Sequence, residues 1–274
     1  MLPTELGVRG LMNVQFGVIN QATFIIEVNP RASRTVPFVS KATGVPLAKI
    51  AAKVMAGRTL SELGLLDEVI PSHVSVKESV FPFAKFPGVD TILGPEMRST
   101  GEVMGIASTF ERAFGKAIVA AGLALPRKGA VVISVRDDDK PVAIVLARKL
   151  WRLGFSIVAT SGTAVALARA GIPAKSVNKV TDGSPHIVDR IRERGDDAVV
   201  MVFNTTWGTR ATRDSYSIRR QTLLAGIPYF TTMAAALAAV DAIQANAASA
   251  AGSATDAHAL QDWHRATRER DTRP

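Results

Sequence analysis

The sequence of 274 residues lacks cysteine, has few aromatic residues and contains no long apolar run. Without cysteine the chain forms neither disulfides nor thiolate metal sites, and such a composition is typical of the reducing cytoplasm. The absence of an eighteen-residue apolar run argues against a membrane span, and the first residues lack the charged and apolar regions of a signal peptide. We therefore expect a cytoplasmic protein without a membrane partner.

Hydrophobic residues make up 47% of the chain and aromatic residues 6%, a balance that favours an α/β protein long enough for two domains. Most of the net charge of +9 comes from residues 127–220, which hold 17 Lys and Arg against 9 Asp and Glu. This excess of positive charge indicates an anionic ligand. A phosphorylated metabolite is favoured over nucleic acid, because the region has no interleaved aromatic residues and no long basic run.

One stretch concentrates polar groups at the end of an apolar segment. Residues 24–28 read as a buried strand, and Glu27, Asn29, Arg31 and Arg34 follow one another at its end. Carboxylate and amide oxygens suit Mg²⁺, and guanidinium groups match phosphate geometry. The alternative is a strand end at which Glu27 pairs with the arginines, and the residues alone do not separate the two interpretations.

Residues 11–27 predict a β-hairpin with its turn at Asn20-Gln21. The spacing between Gln15 and Glu27 lets a short hairpin bring both side chains to one face. Residues 67–101 contain four prolines and are interpreted as irregular.

From residue 130 onward short apolar runs alternate with amphipathic helices, which predicts a parallel sheet covered on both faces. The five predicted strands are Ala130–Ser134, Ser156–Ala159, Ser176–Val177, Ala198–Asn204 and Pro228–Thr231. We place a domain boundary near residue 126 and expect a disordered tail over residues 251–274.

Hydroxyl, amide and lysine side chains follow these strands. In a doubly wound sheet the ligand lies beyond the carboxyl ends of the strands, where hydroxyls and helix amino termini bind anions. The Thr160–Thr163 turn alone is equally explained as a helix cap, but several strand ends together predict a phosphate site. The residues placed there are Ser134, Arg136, Lys140, Thr160, Thr163, Asn178, Lys179, Asn204 and Thr205.

Two further features invite a catalytic interpretation. His186 follows Pro185 at a predicted helix start and is interpreted as a cap or surface residue. Asp137, Asp138 and Asp139 suggest a metal cluster, but three adjacent side chains cannot all point one way, so a solvated turn is favoured.

Long ordered motifs resemble the carbamoyl-phosphate synthase large subunit. Gln15, the run from Glu27 to Met55, Phe86–Asp90 and Leu93–Met104 are similar to the end of its second ATP-grasp unit. Val177–Val180, Gly183–Ile187, Asn204–Thr206 and Ser217–Arg220 are similar to its methylglyoxal synthase-like regulatory domain. The resemblance covers about residues 6–247 of the printed sequence.

The resemblance implies a fold and site residues. The fold is α/β: an incomplete ATP-grasp portion over residues 1–126, with a β-hairpin and helices, precedes a doubly wound five-stranded parallel sheet over residues 127–250. Gln15 and Glu27 would bind ATP, and Gln15, Glu27 and Asn29 would bind Mg²⁺ or Mn²⁺. Arg31 and Arg34 would serve the phosphates or carbamate. The nucleotide-effector residues would be Lys140, Thr160, Thr163, Lys179, Asn204, Thr205 and Thr206, and an ornithine-site remnant would comprise Glu78, Leu93, Tyr229 and Thr231.

The sequence also departs from the family pattern. An acidic residue of the ornithine site is replaced by Phe230, which cannot hold an amino group. Trp207 and Thr209 replace smaller or basic residues in the effector loop. The segments that supply the adenine pocket and the glycine-rich phosphate loop are not matched, so we expect this polypeptide alone not to make carbamoyl phosphate.

Three functions follow from these observations. The first is the C-terminal part of a glutamine-hydrolysing carbamoyl-phosphate synthase, an ATP-dependent carbon–nitrogen ligase of pyrimidine and arginine biosynthesis. Its partners would be the remainder of the large subunit, the glutaminase small subunit and a uridine or inosine monophosphate effector, in an oligomer. The second is a stand-alone regulatory nucleotide-binding module without catalysis. The third, a lyase like methylglyoxal synthase, is disfavoured because the Asn204–Gly208 turn supplies no catalytic carboxylate.

Overall fold

The computed structural model describes residues 2–81, 83, 90–92, 99, 101–248 and 257–271. The chain divides into two compact units, Met1–Val74 with Ala257–Pro274 and Ser75–Asp256. This division differs from the boundary predicted near residue 126, because the helix before that point packs with the second unit. Over the described ranges, no helix is long and apolar enough to cross a membrane.

The first unit begins with a hairpin and two short helices. The hairpin register places Gln15 directly opposite Glu27, as the sequence predicts, with an irregularity between Gln15 and Phe16. Asn20 and Gln21 adopt left-handed backbone angles with φ of 48° and 67°, which join two twisted strands tightly. The elements in this part are α1 Leu2–Glu5, β1 Asn13–Ile19, β2 Ala22–Asn29, α2 Thr35–Thr43 and α3 Leu47–Met55.

The second unit opens with a part that the sequence reading misses. Within residues 67–101, interpreted as irregular, the structure contains strand β3, Val74–Val80, which pairs with β4, Gly101–Ala107. The four prolines of this stretch lie outside both strands, so they did not exclude pairing. Helix α4, Phe110–Ala120, follows and buries Ala113, Ala117 and Ile118.

The rest of this unit is the predicted parallel sheet. Its strand order is β7-β6-β5-β8-β9, with every pair parallel. The helical segment between β8 and β9 is divided at Ser215 into two helices. The elements are β5 Ala130–Ser134, α5 Lys140–Arg152, β6 Ser156–Thr160, α6 Ser161–Arg169, β7 Lys175–Val177, α7 Ile187–Arg192, β8 Val199–Asn204, α8 Thr209–Asp214, α9 Tyr216–Leu224, β9 Tyr229–Phe230 and α10 Met233–Ala247.

Both faces of the sheet are buried, which makes the domain doubly wound. On one face Val131 and Ile133 of β5 belong to a core that includes Leu146 of α5 and Val240 of α10. On the other face Val132 belongs to a core with residues of α7 and α9. Because alternate residues of β5 serve opposite faces, its continuous apolar sequence is the expected pattern for a central parallel strand.

The tail differs from the disorder expected over residues 251–274. Helix α11, Leu260–Asp271, belongs to the first unit, where Trp263 lies 5.3 Å from the ring of His73. His264 Nε2 lies 2.7 Å from the carbonyl oxygen of Lys41, in the last turn of α2. The contacts of Trp263 and His264 thus hold α11 in place, although the mixed charge of this segment does not predict a helix.

Candidate functional site

The hairpin brings together the oxygen donors predicted for a metal. Gln15 pairs across the strands with Glu27, and Asn29 Nδ2 donates a 2.9 Å hydrogen bond to Glu27 Oε1. A carboxylate and two carboxamides on neighbouring strands suit a hard cation such as Mg²⁺ or Mn²⁺. The described residues contain no group of three or more His, Cys, Asp or Glu able to hold a metal ion, so Glu27 would be the single carboxylate of this set.

The two predicted arginines follow the hairpin on a short connection. Arg31 is exposed and donates to the carbonyl oxygen of Ala32 at 3.2 Å. Arg34 immediately precedes the first residue of α2. Exposed guanidinium groups close to Glu27 in sequence are suited to anionic oxygens, but their assignment to phosphate or carbamate stays a prediction.

The strand that carries Glu27 is not buried, in contrast to the sequence interpretation. Phe24, Ile25 and Ile26 are 53%, 52% and 62% exposed, and Phe16 and Val18 on the paired strand are 55% and 70% exposed. A two-stranded sheet has two faces and too few neighbours to cover them. A contiguous apolar surface of this kind is typical of an interaction site.

A second site lies at the carboxyl edge of the five-stranded sheet. A cavity of about 420 Å³ opens between the ends of β5, β6 and β8, close to the place where the strand order reverses. Five predicted effector residues line it: Thr160, Lys179, Asn204, Thr205 and Thr206. Thr160, Asn204 and Thr205 are buried, so their polar atoms are fixed by the fold.

Hydrogen bonds among the strand ends orient these hydroxyls. Thr160 Oγ1 donates to Ser134 Oγ at 3.3 Å, and the backbone N–H of Arg136 donates to Thr205 Oγ1 at 3.2 Å. Thr163 Oγ1 accepts from the backbone N–H of Val135 at 3.4 Å, and Thr163 is buried and is not among the residues that line the cavity. Thr163 also lies in the first turn of α6, whose backbone amides favour an anion.

Two lysines supply positive charge near this turn. Lys140 Nζ lies 2.7 Å from Asp137 Oδ1 and only 3.4 Å from the position that a Cβ on Gly162 would occupy, so it approaches the amino terminus of α6. The hydrogen bond from Lys140 and the charges of Lys140 and Lys179 lower the pKa of Asp137. Lys179 is exposed and lines the cavity. Of the two predicted lysines, Lys179 therefore faces the cavity, and Lys140 lies beside the amino terminus of α6 and is paired with Asp137.

The structure gives His186 and the three adjacent aspartates local roles. His186 is the N-cap of α7, as predicted, and its Nδ1 accepts from the backbone N–H of Asp189 at 3.3 Å. Asp137–Asp139 form a short 3-10 helix, in which Asp139 accepts from Arg136 Nε at 2.8 Å. Asp137 pairs with Lys140 and Asp139 with Arg136.

The residues of the predicted ornithine site lie in different surroundings in the structure. Tyr229 accepts a 2.8 Å hydrogen bond from Asn204 Nδ2, and burial raises the pKa of the Tyr229 hydroxyl. Thr231 is exposed. Glu78 is partly buried, and this burial raises the pKa of its carboxyl group. Leu93 lies outside the described residues. Phe230 is buried in the core, 5.6 Å from the ring of Phe203, so this position faces the protein interior.

Three features escaped sequence reasoning. Trp207 stands on its rim with 80% of its surface exposed, although the sequence showed only that it departs from the family pattern. Arg219, buried in α9, bonds Asp90 and joins the segment after β3 to the domain. The Tyr229–Asn204 bond was also missed, and no local sequence signal could have revealed these long-range pairs.

Both parts of the chain are similar to known protein families. Residues 2–63 match the family described as carbamoyl-phosphate synthase L chain, ATP binding domain, and residues 143–231 match the MGS-like domain. The carbamoyl phosphate synthase large chain of Myxococcus xanthus is 58% identical over 243 residues, which are 89% of this chain and 22% of the relative.

The large chains of two other bacteria show similar sequence identity and coverage. The large chain of Pseudomonas aeruginosa is 57% identical over 240 residues, covering 88% of this chain and 22% of the relative, and that of Vibrio cholerae is 52% identical over 258 residues, covering 94% and 24%. The chain thus spans between a fifth and a quarter of the length of these relatives. A solved structure, "Crystal structure of ForH", aligns over 52% of this chain and 90% of its own with 16% identity and a TM-score of 0.36, which is too low to compare folds.

Proposed function

The chain belongs to the carbamoyl phosphate synthase large-chain family, whose C-terminal part it matches, and on that premise we propose two roles for it. In the first role, the hairpin contributes ligands for ATP and its metal to an ATP-dependent, glutamine-hydrolysing carbamoyl phosphate synthase. In the second, the sheet-edge cavity binds a nucleoside monophosphate that regulates this enzyme. The second role is the one that the geometry of the chain supports best.

The observation that carries the effector role is the convergence of hydroxyls, a carboxamide and a lysine on one cavity. Thr160, Asn204 and Lys179 line it, and Thr163 and Lys140 lie at or near the amino terminus of α6 without lining it. A phosphate monoester is a dianion with several acceptor oxygens, so it matches this set of donors. A volume of about 420 Å³ leaves room for the attached nucleoside.

Calorimetric titration of the whole chain with uridine or inosine monophosphate tests this role. Lys179→Ala should weaken binding roughly tenfold or more, because it removes a charged donor that lines the cavity. Thr163→Ala should also weaken binding, because it removes the hydroxyl that holds the backbone of Val135, a lining residue. Lys175→Ala is the matched control, since Lys175 is an exposed lysine at the start of β7, paired with Asp197. Absence of nucleotide binding at millimolar concentration would contradict the proposal.

The catalytic role is supported by the oxygen donors on the hairpin. Gln15 and Glu27 would contact ATP, these two with Asn29 would hold Mg²⁺ or Mn²⁺, and Arg31 with Arg34 would bind phosphate or carbamate oxygens. The exposed apolar faces of β1 and β2 would contact the remainder of a large subunit, and a glutaminase small subunit would supply ammonia. We propose that the chain reaches this activity only within that assembly.

A reconstitution experiment addresses the catalytic role. The upstream part of the Myxococcus xanthus large chain, expressed together with this chain, should associate with it and restore ATP-dependent synthesis of carbamoyl phosphate. Glu27→Ala should abolish the synthesis while leaving the association intact, because the carboxylate would bind metal rather than the partner. If the chain is instead a stand-alone regulatory module, nucleotide binding will persist and no activity will depend on Glu27.

A further inference from the structure

Trp207 is the large aromatic side chain on the rim of the sheet-edge cavity, and 80% of its surface is exposed. Tryptophan carries more apolar surface than any other side chain, so leaving it in water forfeits a large hydrophobic gain. A ligand in the cavity would recover that gain by covering the ring. An exposed tryptophan beside a polar cavity is therefore a candidate contact for a flat apolar group.

Arg136 prepares the ring for such a contact. Its guanidinium carbon lies 5.5 Å from the centroid of the Trp207 ring, within the range of a cation–π interaction. Arg136 Nε is held by Asp139 at 2.8 Å, and its backbone N–H donates to Thr205 Oγ1. The backbone N–H of Thr205 in turn donates to the Ser134 carbonyl at 3.2 Å, so the loop that carries Trp207 is tied to β5.

The lining of the cavity includes two kinds of group. Thr160, Asn204 and Lys179 present hydroxyl, amide and ammonium groups, whereas Trp207 and Arg136 present planar groups. A molecule that joins a charged group to a flat ring could use both. Nucleoside monophosphates have that form, with a phosphate joined through ribose to an aromatic base.

We propose that Trp207 stacks on the nucleobase of the bound nucleoside monophosphate and that Arg136 orients the indole for this contact. The proposal rests on the effector role given above and assigns the residue that recognises the base. Stacking on indole tolerates every base, since each presents a π face. Trp207 would therefore distinguish nucleotides from sugar phosphates without selecting strongly between uracil and hypoxanthine.

Binding of nucleotide and sugar phosphate to the whole chain and to Trp207→Ala separates the base contact from the phosphate contact. Uridine monophosphate, inosine monophosphate and ribose 5-phosphate are titrated by calorimetry. Trp207→Ala should weaken both nucleotides roughly tenfold, within the range of single base–aromatic stacks, and leave ribose 5-phosphate unchanged. Trp207→Phe should restore most of the loss. The exposed position makes a folding defect improbable, and circular dichroism checks it.

Fluorescence gives an independent reading. The chain has three tryptophans, so Trp151→Phe with Trp263→Phe leaves Trp207 as the one indole emitter. Both nucleotides should quench its emission at the concentrations at which they bind, and ribose 5-phosphate should not. An unchanged ratio of nucleotide to ribose 5-phosphate affinity in Trp207→Ala overturns the assignment of Trp207 while the effector role stands. If neither nucleotide nor ribose 5-phosphate binds the parent chain, the effector role fails and this proposal with it.

Discussion

Arg219 donates two hydrogen bonds to Asp90, a residue 129 positions earlier in the chain, at 2.8 and 2.7 Å. A third hydrogen bond from Arg219 reaches the carbonyl oxygen of Thr212 at 2.9 Å, and the arginine is only 4% exposed. The hydrogen bonds from Arg219 hold the pKa of Asp90 below its ordinary range. The pair therefore holds Asp90 against α9.

Arg219→Ala should destabilise the protein by about 2–4 kcal/mol, because it leaves a partly buried carboxylate and a carbonyl without their donor. Asp90 has a depressed pKa in the folded state, so its stabilisation is complete above the ordinary aspartate value, about 3.9, and is lost as the pH falls below it. Urea unfolding at pH 7 and pH 3 should show that the difference in stability between the parent chain and Arg219→Ala is smaller at pH 3. Arg220→Ala, at an exposed neighbouring position, is the control, and an equal loss there would contradict the assignment.

Gly105 in β4 should not accept a side chain. A Cβ at this position would lie 2.0 Å from the carbonyl oxygen of Ala113 and 2.7 Å from the backbone nitrogen of Ala117. Gly105→Ala would therefore push β4 away from α4 and should cost about 2 kcal/mol or more in the free energy of unfolding. Gly101→Ala lies in the same strand with no atom within 4 Å of the added methyl group, so its stability should change by less than about 1 kcal/mol.

Acidification should release α11 from the first unit. His73 is buried, with Nε2 3.0 Å from the Ala42 carbonyl oxygen, and burial followed by the charge of His264 lowers its pKa. A lowered histidine pKa means that stability is complete above the ordinary value, about 6.5, and falls as the pH drops through that value toward the folded-state pKa. The neutral ring is the one that the fold accommodates.

Emission from Trp263, 5.3 Å from His73, reports this change. In a chain with Trp151→Phe and Trp207→Phe, the emission should shift toward that of exposed tryptophan between pH 7 and pH 5. His73→Gln removes the titrating ring and should flatten the pH profile. A transition of unchanged size in that variant would assign the effect to another histidine.

The boundary between the units predicts which fragment folds. Residues 75–248 should unfold cooperatively, whereas residues 127–248 should be less stable and bind a hydrophobic dye. The shorter fragment loses α4, and with it the helix that packs on α10 and buries Ala117 and Ile118. Urea unfolding of both fragments measures the difference, and equal stabilities would contradict the role of α4.

Local signals revealed most of the fold. The strands of the parallel sheet were predictable because continuous apolar runs such as Ala130–Ser134 are required when both faces are buried. The hairpin register followed from the turn at Asn20-Gln21, which brought Gln15 opposite Glu27. Strand β3 was missed because surrounding prolines outweighed the short alternation of valines in Val74–Val80.

Position in the topology was enough to bring several of the predicted residues to one edge of the sheet, while their function stays a prediction. The ends of β5, β6 and β8 must meet in a parallel sheet, so Thr160 and Asn204 could be placed together from sequence. The exposure of side chains and the pairing of residues far apart in the sequence could not be derived from the topology. Phe24 was taken for a buried residue because an apolar strand does not show whether a neighbour covers it, and the partner of Arg219 depends on the complete fold.

The position of β5 has a consequence for the order in which the sheet assembles. Strand β5 is the first strand of the sheet in the sequence and also its central strand. Its Val131 pairs with Ile157 of β6 on one side and with Met201 of β8 on the other. The pairing with β6 closes a short loop, whereas the pairing with β8 closes a much longer one at a greater cost in chain entropy. The sheet should therefore grow from β5 and β6 first, so the cavity between β5 and β8 would be completed late in folding.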